Sequence, residues 1–450
     1  MAIHSLLLQR SKHRPLAQME HAEKDRIILG QWDKIDQLVA ENAKLKKELA
    51  KHSKQLRKTS KNSSLPPSRD QKASAKEEPK PRQRHHHQGG KALHSQPDLS
   101  VFLTSCPDCQ GSLENVQLVN LYDKYDLPEV TPVVTQVWQY QGHCSACQKK
   151  VVSNPPAHLS VGSPFGASIE KLASYYRYEH FISYERLSRL FQEVYHLDIS
   201  EGGLRNLFAR VKQQLQPSVD KMLHTVRSSR LIASDETSSR VKGKTQWEWV
   251  FQNEEVCLHV IRPSRGSQVK EEVLAGHIPE VWVSDLYSAQ RNHDSPKWQV
   301  CLSHQLRDVQ YGIDTGDTIF SSLMYSWIKQ ALEARTLSSE VKANKVKELK
   351  AELKKLLDLE PQTKDGKRLR NRYWGLQDNL LPFLEDGTIP ATNNSSEQAL
   401  RMSVIFRKVT NGFRSEWGKE MFATIRSVIN TGKRHHLSAF EALGQALVPT

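Results

Sequence analysis

Asp235 and Asp285 occupy matching places in the chain. Leu231-Ile232-Ala233-Ser234 is a short apolar run that ends in Asp235, and Val281-Trp282-Val283-Ser284 ends in Asp285. Cleavage of a phosphodiester by two divalent cations needs carboxylates on neighbouring strand ends, because hard oxygen ligands must hold Mg2+ ions about 3.5–4 Å apart. One Asp after a strand often just caps the next turn, so the repetition carries the reading. A third acid, Glu397, lies in Asn393-Asn394-Ser395-Ser396-Glu397-Gln398-Ala399-Leu400-Arg401, with Arg401 one helical turn later on the same face. That spacing has a second explanation, in which Asn394 is an N-cap and Glu397 its partner in a variant capping box. Downstream, Arg401, Arg407, Lys408 and Arg414 form a basic run suited to phosphate contacts.

The cysteines point to a different chemistry. Cys106-Pro107-Asp108-Cys109 and Cys144-Ser145-Ala146-Cys147 are two CxxC knuckles. Two knuckles complete a tetrahedral four-thiolate zinc site with no open coordination position, which makes a structural rather than a catalytic Zn2+ the expectation. A redox CxxC is the rival, but no thioredoxin-like βαβ context surrounds either pair. The 34 residues between Cys109 and Cys144 exceed the usual ribbon spacing, and the alternation through Val133, Thr135, Val137 and Trp138–Tyr140 predicts strands there. His85-His86-His87 reads as part of a disordered basic tract.

These groups need a scaffold. From Leu231 the pattern gives a strand, a second strand with Trp247, Trp249 and Phe251, and a third over Val256–Ile261. A helix over Gln268–Ala275, the strand before Asp285, and a strand over Gln299–Ser303 entering a helix at His304 follow. That order is expected of an α/β, ribonuclease-H-like core, placed at 229–312 and 389–432. Val346, Leu349, Leu353, Leu356 and Leu357 stand at helical spacing in a Lys/Glu-rich stretch. Upstream, over 160–228, Ser183 and Ser200 are expected to cap two helices in a helix-turn-helix-like domain. The first helix carries Leu187, Leu190, Phe191 and Val194, and the second carries Leu204, Leu207, Phe208 and Val211.

Nearer the amino terminus, Ile28, Ile35, Asn42, Leu49 and Leu56 repeat every seven residues, with Leu38 and Leu45 three residues after members of the series. This predicts a coiled coil over 21–58, and its a-position Asn favours a parallel two-stranded form, hence a homodimer or higher oligomer. A basic, disordered linker is expected over 59–100, the zinc-ribbon-like module over 101–155, and a tail over 433–450.

Composition fits this layout. The 450 residues hold 64 Lys+Arg against 50 Asp+Glu, a net charge of +14, with 38% hydrophobic residues. Residues 41–95 alone carry +10. A polyanionic partner follows, with nucleic acid foremost. No apolar run approaches the roughly 18 residues of a membrane span, which excludes a helical membrane protein. Six cysteines are too few for a disulfide scaffold, so a reducing cytoplasm, and association with the nucleoid, are expected.

Several segments together resemble transposases of the insertion sequence 66 family. They are Asp235-Glu236-Thr237, Gln246-Trp247-Glu248-Trp249-Val250-Phe251, Ser284-Asp285, Cys301-Leu302-Ser303-His304-Gln305-Leu306-Arg307-Asp308, Asn393–Glu397 and Arg407–Ser415. The heptads, the Asn-Ser-Ser-Leu-Pro-Pro-Ser linker and the paired CxxC stand in that family's order. The resemblance implies a DDE transposase in which Asp235, Asp285 and Glu397 bind two Mg2+ ions, with residues 313–388 a helical insertion in the core. It also implies double-stranded DNA as partner and accessory proteins encoded by the same element. Gln398 departs from the family, which commonly has Arg after the third acid. Cys301 and His304 resemble a C-x-x-H feature of related transposases, with strand-to-helix packing the expected role. Two other readings compete: a non-catalytic, transposase-derived DNA-binding protein, and a nuclease acting on RNA–DNA hybrids.

Overall fold

The computed structural model describes residue 20, residues 30–45, and residues 104–447 except 121, 123, 160, 292, 293 and 362. Residues 30–45 form helix α1, exposed along its length, with Ile35, Leu38 and Leu45 each at least half exposed. Ile28, Leu49 and Leu56 of the expected coiled coil, and the whole expected linker, lie outside the described residues.

In the cysteine module β1 (Gln141–His143) and β2 (Lys150–Val152) pair antiparallel, with Gly142 opposite Val151. The strands expected from the alternation at 133–140 are not formed. Val133 is 94% exposed and its neighbour Val134 89%, so both sides of the alternation face water and neither meets a packing partner.

The remainder is mixed α/β. The helices α2 (Ala167–Tyr178), α3 (Tyr184–Tyr195) and α4 (Glu201–Val226) precede β3 (Leu231–Val241), β4 (Lys244–Gln252) and β5 (Cys257–Arg262). Then come α5 (Gln268–Leu274), β6 (Val281–Ser284), β7 (Lys297–Val300) and α6 (Leu302–Asp314). The longer helices α7 (Phe320–Glu333), α8 (Ser339–Leu357), α9 (Lys364–Trp374), α10 (Asn394–Thr410), α11 (Glu416–Arg434) and α12 (Ala439–Leu447) follow, and Ser288–Arg291 and Pro382–Glu385 are single helical turns. The five strands form one mixed sheet in the order β5-β4-β3-β6-β7. β4 and β5 are antiparallel, whereas β6 runs parallel to both β3 and β7.

The chain divides into two compact units, with β3 contributing to both. The first unit includes Arg230–Ser234 and Ile278–Ser395. Its core joins Ala233, Val281 and Val283 to Leu302 and Val309 of α6, and to Phe320, Met324, Trp327 and Ile328 of α7. Val346, Leu349, Leu353 and Leu357 of α8 are buried in that core, on the stripe their spacing predicts. Trp327 adds a polar tie, its indole N–H donating to the Leu349 carbonyl at 3.0 Å. Gly312 allows α6 to approach α7, because a Cβ there would stand 2.4 Å from the Ser321 hydroxyl and 2.8 Å from Leu369.

The second unit includes Gln71–Ser229, Asp235–His277 and Ser396–Thr450. Ser183 and Ser200 cap α3 and α4 by accepting from the N–H groups of Arg186 and Gly203. Leu204, Leu207, Phe208 and Val211 of α4 are wholly buried, each stabilising the fold by about 1.5–3 kcal/mol on the usual transfer scale. Residues 433–447 are not a tail: α11 runs to Arg434, and α12 buries Ala439, Ala442, Leu443 and Leu447. Their spacing makes one apolar helical face, which explains why this short segment packs.

Candidate functional site

In the first unit the parallel register pairs Leu231 with Val281 and Ala233 with Val283. Asp285 comes two residues after Val283, and in the chain Asp235 comes two after Ala233. Asp285 is half-buried, and its Oδ1 accepts the Tyr287 N–H at 2.9 Å. Ser284, fully buried before it, accepts the Trp298 indole N–H at 3.1 Å. The end of β6 is thereby fixed from both the preceding hydroxyl and the following turn.

The same unit contains a residue that sequence reading passed over. Asn393 is completely buried, and its amide Nδ2 donates to the Ser234 carbonyl at 2.7 Å. Its backbone N–H donates to the Cys301 sulfur at 3.1 Å. The Leu302 N–H donates to the Ala391 carbonyl at 3.0 Å, so the start of α6 is stitched to the segment that leads into α10. Gln290 adds a bond from its Nε2 to the Ser234 hydroxyl at 3.3 Å. Asn393 and Ser234, 159 residues apart, thus meet directly beside the positions of Asp235 and of the helix carrying Glu397 in the chain.

Cys301 is buried in this knot, with His304 Nδ1 3.2 Å from its sulfur. Burial opposes the thiolate, but His304 and the Asn393 N–H outweigh it and hold the thiol below its ordinary range. The sulfur joins the strand end to the helix through these bonds.

Asp235 and Glu397 belong to the second unit. The Asp235 carboxylate is half-buried and accepts the Glu236 N–H at 2.9 Å. Glu236 is itself buried and paired with Arg265 at 2.8 Å. The helix α10 begins at Asn394, so Asn393 precedes it and Glu397 is its fourth residue, one place beyond the third position used by a capping-box acid. Glu397 is half-buried, whereas Ala399 and Leu400 pack with Val250 and Cys257 of the sheet. Gln252 donates to the Ser396 hydroxyl at 2.6 Å, which ties the first turn of α10 to the end of β4.

A second buried network fixes α10 and α11 on the sheet. His259 Nδ1 stands 2.8 Å from the Glu248 carboxylate, which also accepts the Ser403 hydroxyl at 2.7 Å. The Asn430 amide is 2.8 Å from His259 Nε2. Burial works against the imidazolium, but the facing Cys257 sulfur and Glu248 outweigh it and raise His259 to about 9. All of these groups are sealed from solvent, so the network positions the helices rather than touching a substrate. Alternation along β4 hides it: Glu248, Trp249, Val250 and Phe251 are all buried, because β4 is covered on both faces.

Of the basic run, Arg401, Lys408 and Arg414 are exposed. Arg407 is half-buried and donates to the carbonyl and hydroxyl oxygens of Ser238, joining the last turn of α10 to β3.

The cysteine knuckles are alike in geometry. The Gln110 N–H returns to the Cys106 carbonyl at 2.9 Å, and the Gln148 N–H to the Cys144 carbonyl at 2.8 Å. The Cys106 N–H also reaches Gly111, as the Cys144 N–H reaches Lys149. Within each turn, backbone N–H groups, chiefly those of Cys109 and Cys147, hold the Cys106 and Cys144 thiols below their ordinary range. Each turn favours thiolates, the form that binds Zn2+, but the two cysteine pairs are not gathered into one cluster of four sulfurs.

Among the described residues, no helix is long and apolar enough to cross a membrane. A family model described as "Transposase IS66 family" matches residues 162–421, a span that contains all three acids. A relative, the uncharacterized protein y4jD of Sinorhizobium fredii, is 24% identical over 385 residues, covering 76% of this chain and 74% of its own length.

Proposed function

Because the chain belongs to the IS66 family of transposases, we propose that it is a DNA transposase that nicks DNA at the ends of a mobile element and joins the freed ends to target DNA. The observation that carries this reading is the family match across 162–421, which spans Asp235, Asp285 and Glu397. Asp235 and Asp285 stand at equal offsets from the registered pair Ala233–Val283, Asp285 just past the end of β6 and Asp235 within β3, which supports a shared role on neighbouring strands of a ribonuclease-H-like core.

The three acids are proposed ligands for two Mg2+ ions, and the carboxylate oxygens they supply are the hard donors such ions require. Bound Mg2+ supplies Lewis-acid stabilisation of the attacking and leaving oxygens. Hydrolysis forms a bond from a water oxygen to phosphorus and breaks the P–O3′ bond, so that one strand ends in a 3′-hydroxyl. In joining, that 3′-oxygen bonds to a target phosphorus and displaces the target's own 3′-oxygen, which takes up the proton. One phosphodiester replaces another, so joining needs no outside energy source. Asn393, Cys301 and Gln290 tie together Ser234, the start of α6 and the segment that precedes α10, the chain neighbours of Asp235 and Glu397, while Arg401, Lys408 and Arg414 offer charge for DNA phosphates. Arg407 serves this surface by fixing α10 to β3.

The test uses purified protein, Mg2+ and a plasmid carrying the element's two ends. Strand cleavage at the ends and joined products are expected. A gel shift without cleavage would favour the non-catalytic DNA-binding protein, and selective cleavage of RNA–DNA hybrids would favour the hybrid nuclease.

Cys106, Cys109, Cys144 and Cys147 are proposed to hold one structural Zn2+. The double change Cys106→Ser with Cys147→Ser is expected to lower zinc content from about one ion per chain to near zero, since two of the four ligands are lost. Elemental analysis showing unchanged zinc in that variant rejects the site. Self-association through α1 and its flanks, and a cytoplasmic, nucleoid-associated location, belong to the same proposal.

A further inference from the structure

The hairpin that begins with the strand of Asp235 ends in a cationic tip. Arg240, Lys242 and Lys244 are all exposed there, around a two-residue turn formed by Lys242 and Gly243. Both turn residues have positive φ, 49° and 76°, as a tight turn matched to the strand twist requires. The tip does not stand alone. The Lys242 N–H donates to the Phe413 carbonyl at 2.8 Å, and the Phe413 N–H donates to the Arg240 carbonyl at 2.7 Å. Val241 and Phe413 form a parallel bridge between these bonds.

This contact draws in the loop after α10, and with it Lys408 and Arg414, both exposed. Gly412 makes the approach possible: its φ is +108°, and a Cβ would lie 2.5 Å from the Arg240 carbonyl oxygen. Beneath the cations the surface is rigid. Val241 is 1% exposed, and the Phe413 ring packs against Phe406 and Phe422 at centroid distances of 4.9 and 5.2 Å. Glu416 is the neighbouring acid, and it is held principally by Lys419.

We propose that the β3–β4 tip, with Lys408 and Arg414, is a preformed clamp for the phosphate backbone of duplex DNA. Five cations from segments about 170 residues apart are set on a backbone-bonded, aromatic-supported platform, so little side-chain scaffold must be ordered on binding. The strand also acts as a spacer. Six residue steps separate Asp235 from Val241, or about 20 Å at strand rise, which corresponds to about six base pairs of duplex. The clamp therefore grips DNA about half a helical turn from the phosphate that Asp235 serves. This inference rests on the DNA-processing reading above.

The test is filter binding of the full chain to a 40-base-pair duplex over a range of salt. The variant Arg240→Gln/Lys242→Gln/Lys244→Gln leaves the turn glycine in place and changes only exposed side chains. Each lost phosphate contact removes about 0.9 from the slope of log affinity against log salt, so a fall of roughly 2–3 is expected. A control with equal charge loss, Lys347→Gln/Lys354→Gln/Lys355→Gln on α8, is expected to keep the wild-type slope. A hairpin variant with an unchanged slope, or a control that falls equally, overturns the clamp while leaving DNA binding intact. Absence of salt-dependent duplex binding by the wild-type chain defeats the DNA reading itself.

Discussion

Asp285→Asn is expected to lower Mg2+-dependent strand cleavage at the element's ends by at least about a thousandfold, because metal stabilisation of the transition state is worth several kcal/mol and each 1.36 kcal/mol is tenfold in rate. The asparagine keeps an oxygen where Asp285 Oδ1 accepts the Tyr287 N–H, so the turn after β6 retains its bond. Ser284 keeps its bond from Trp298 as well. The change thus removes a charge and a metal ligand while preserving the local structure. Asp235→Asn and Glu397→Gln are expected to give losses of the same order, with retention of end binding in a gel shift. Because groups that act as a unit are not additive, the triple variant should be little worse than any single one. Cleavage by Asp285→Asn within tenfold of the wild type, with a wild-type melting temperature, would remove Asp285 from the catalytic set.

That expectation depends on how clearly different parts of the molecule were written in the sequence. The run before Asp285 was legible because a buried parallel strand is a short apolar run and the acid follows its last residue, whereas β3 continues through Asp235 to Val241 with Glu236, Ser239 and Val241 buried, so that acid does not mark a strand end. The stripe of Val346, Leu349, Leu353 and Leu357 was legible for the same reason at helical period. Local caps at Ser183 and Ser200 could also be read, since the bonded groups are three residues apart. Long-range polar ties could not. Asn393 binding Ser234, and Asn430 meeting His259, join residues more than 150 positions apart, and nothing in either neighbourhood signals the partner. The requirement for glycine at 412 is likewise set by Arg240, a residue of another strand. Pattern without a partner misled in the opposite direction: the alternation at 133–140 has strand form but no surface to cover.

Arg426→Met is expected to destabilise the second unit by about 3–5 kcal/mol, the usual cost of leaving one member of a buried ion pair alone. Arg426 is 1% exposed at the centre of α11, and its guanidinium meets Glu179 at 2.5 Å and Asn430 at 3.0 Å. Lys433 meets the same carboxylate at 3.1 Å but is 44% exposed, so solvent screens its share. Burial disfavours the Glu179 carboxylate, yet Arg426 and Lys433 outweigh that cost and hold it below the usual range. A carboxyl depressed in the folded state contributes stability above its unfolded value, about 4.3, and that contribution is lost as pH falls through the lower folded value. In the wild type, urea midpoints should therefore fall on acidification below about pH 4.3 partly through Glu179. In Arg426→Met this part of the acid dependence should shrink, because the charge that depressed the carboxyl is gone. Adding Glu179→Gln to Arg426→Met should recover stability, since a neutral amide is less costly than an unpaired buried carboxylate. A urea midpoint in Arg426→Met equal to that of the wild type would show that the pair does not hold α11 to the helix end at Glu179. The orientation of α11 matters beyond stability, because Asn430 donates to the Ala399 carbonyl at 3.2 Å, two residues along α10 from Glu397.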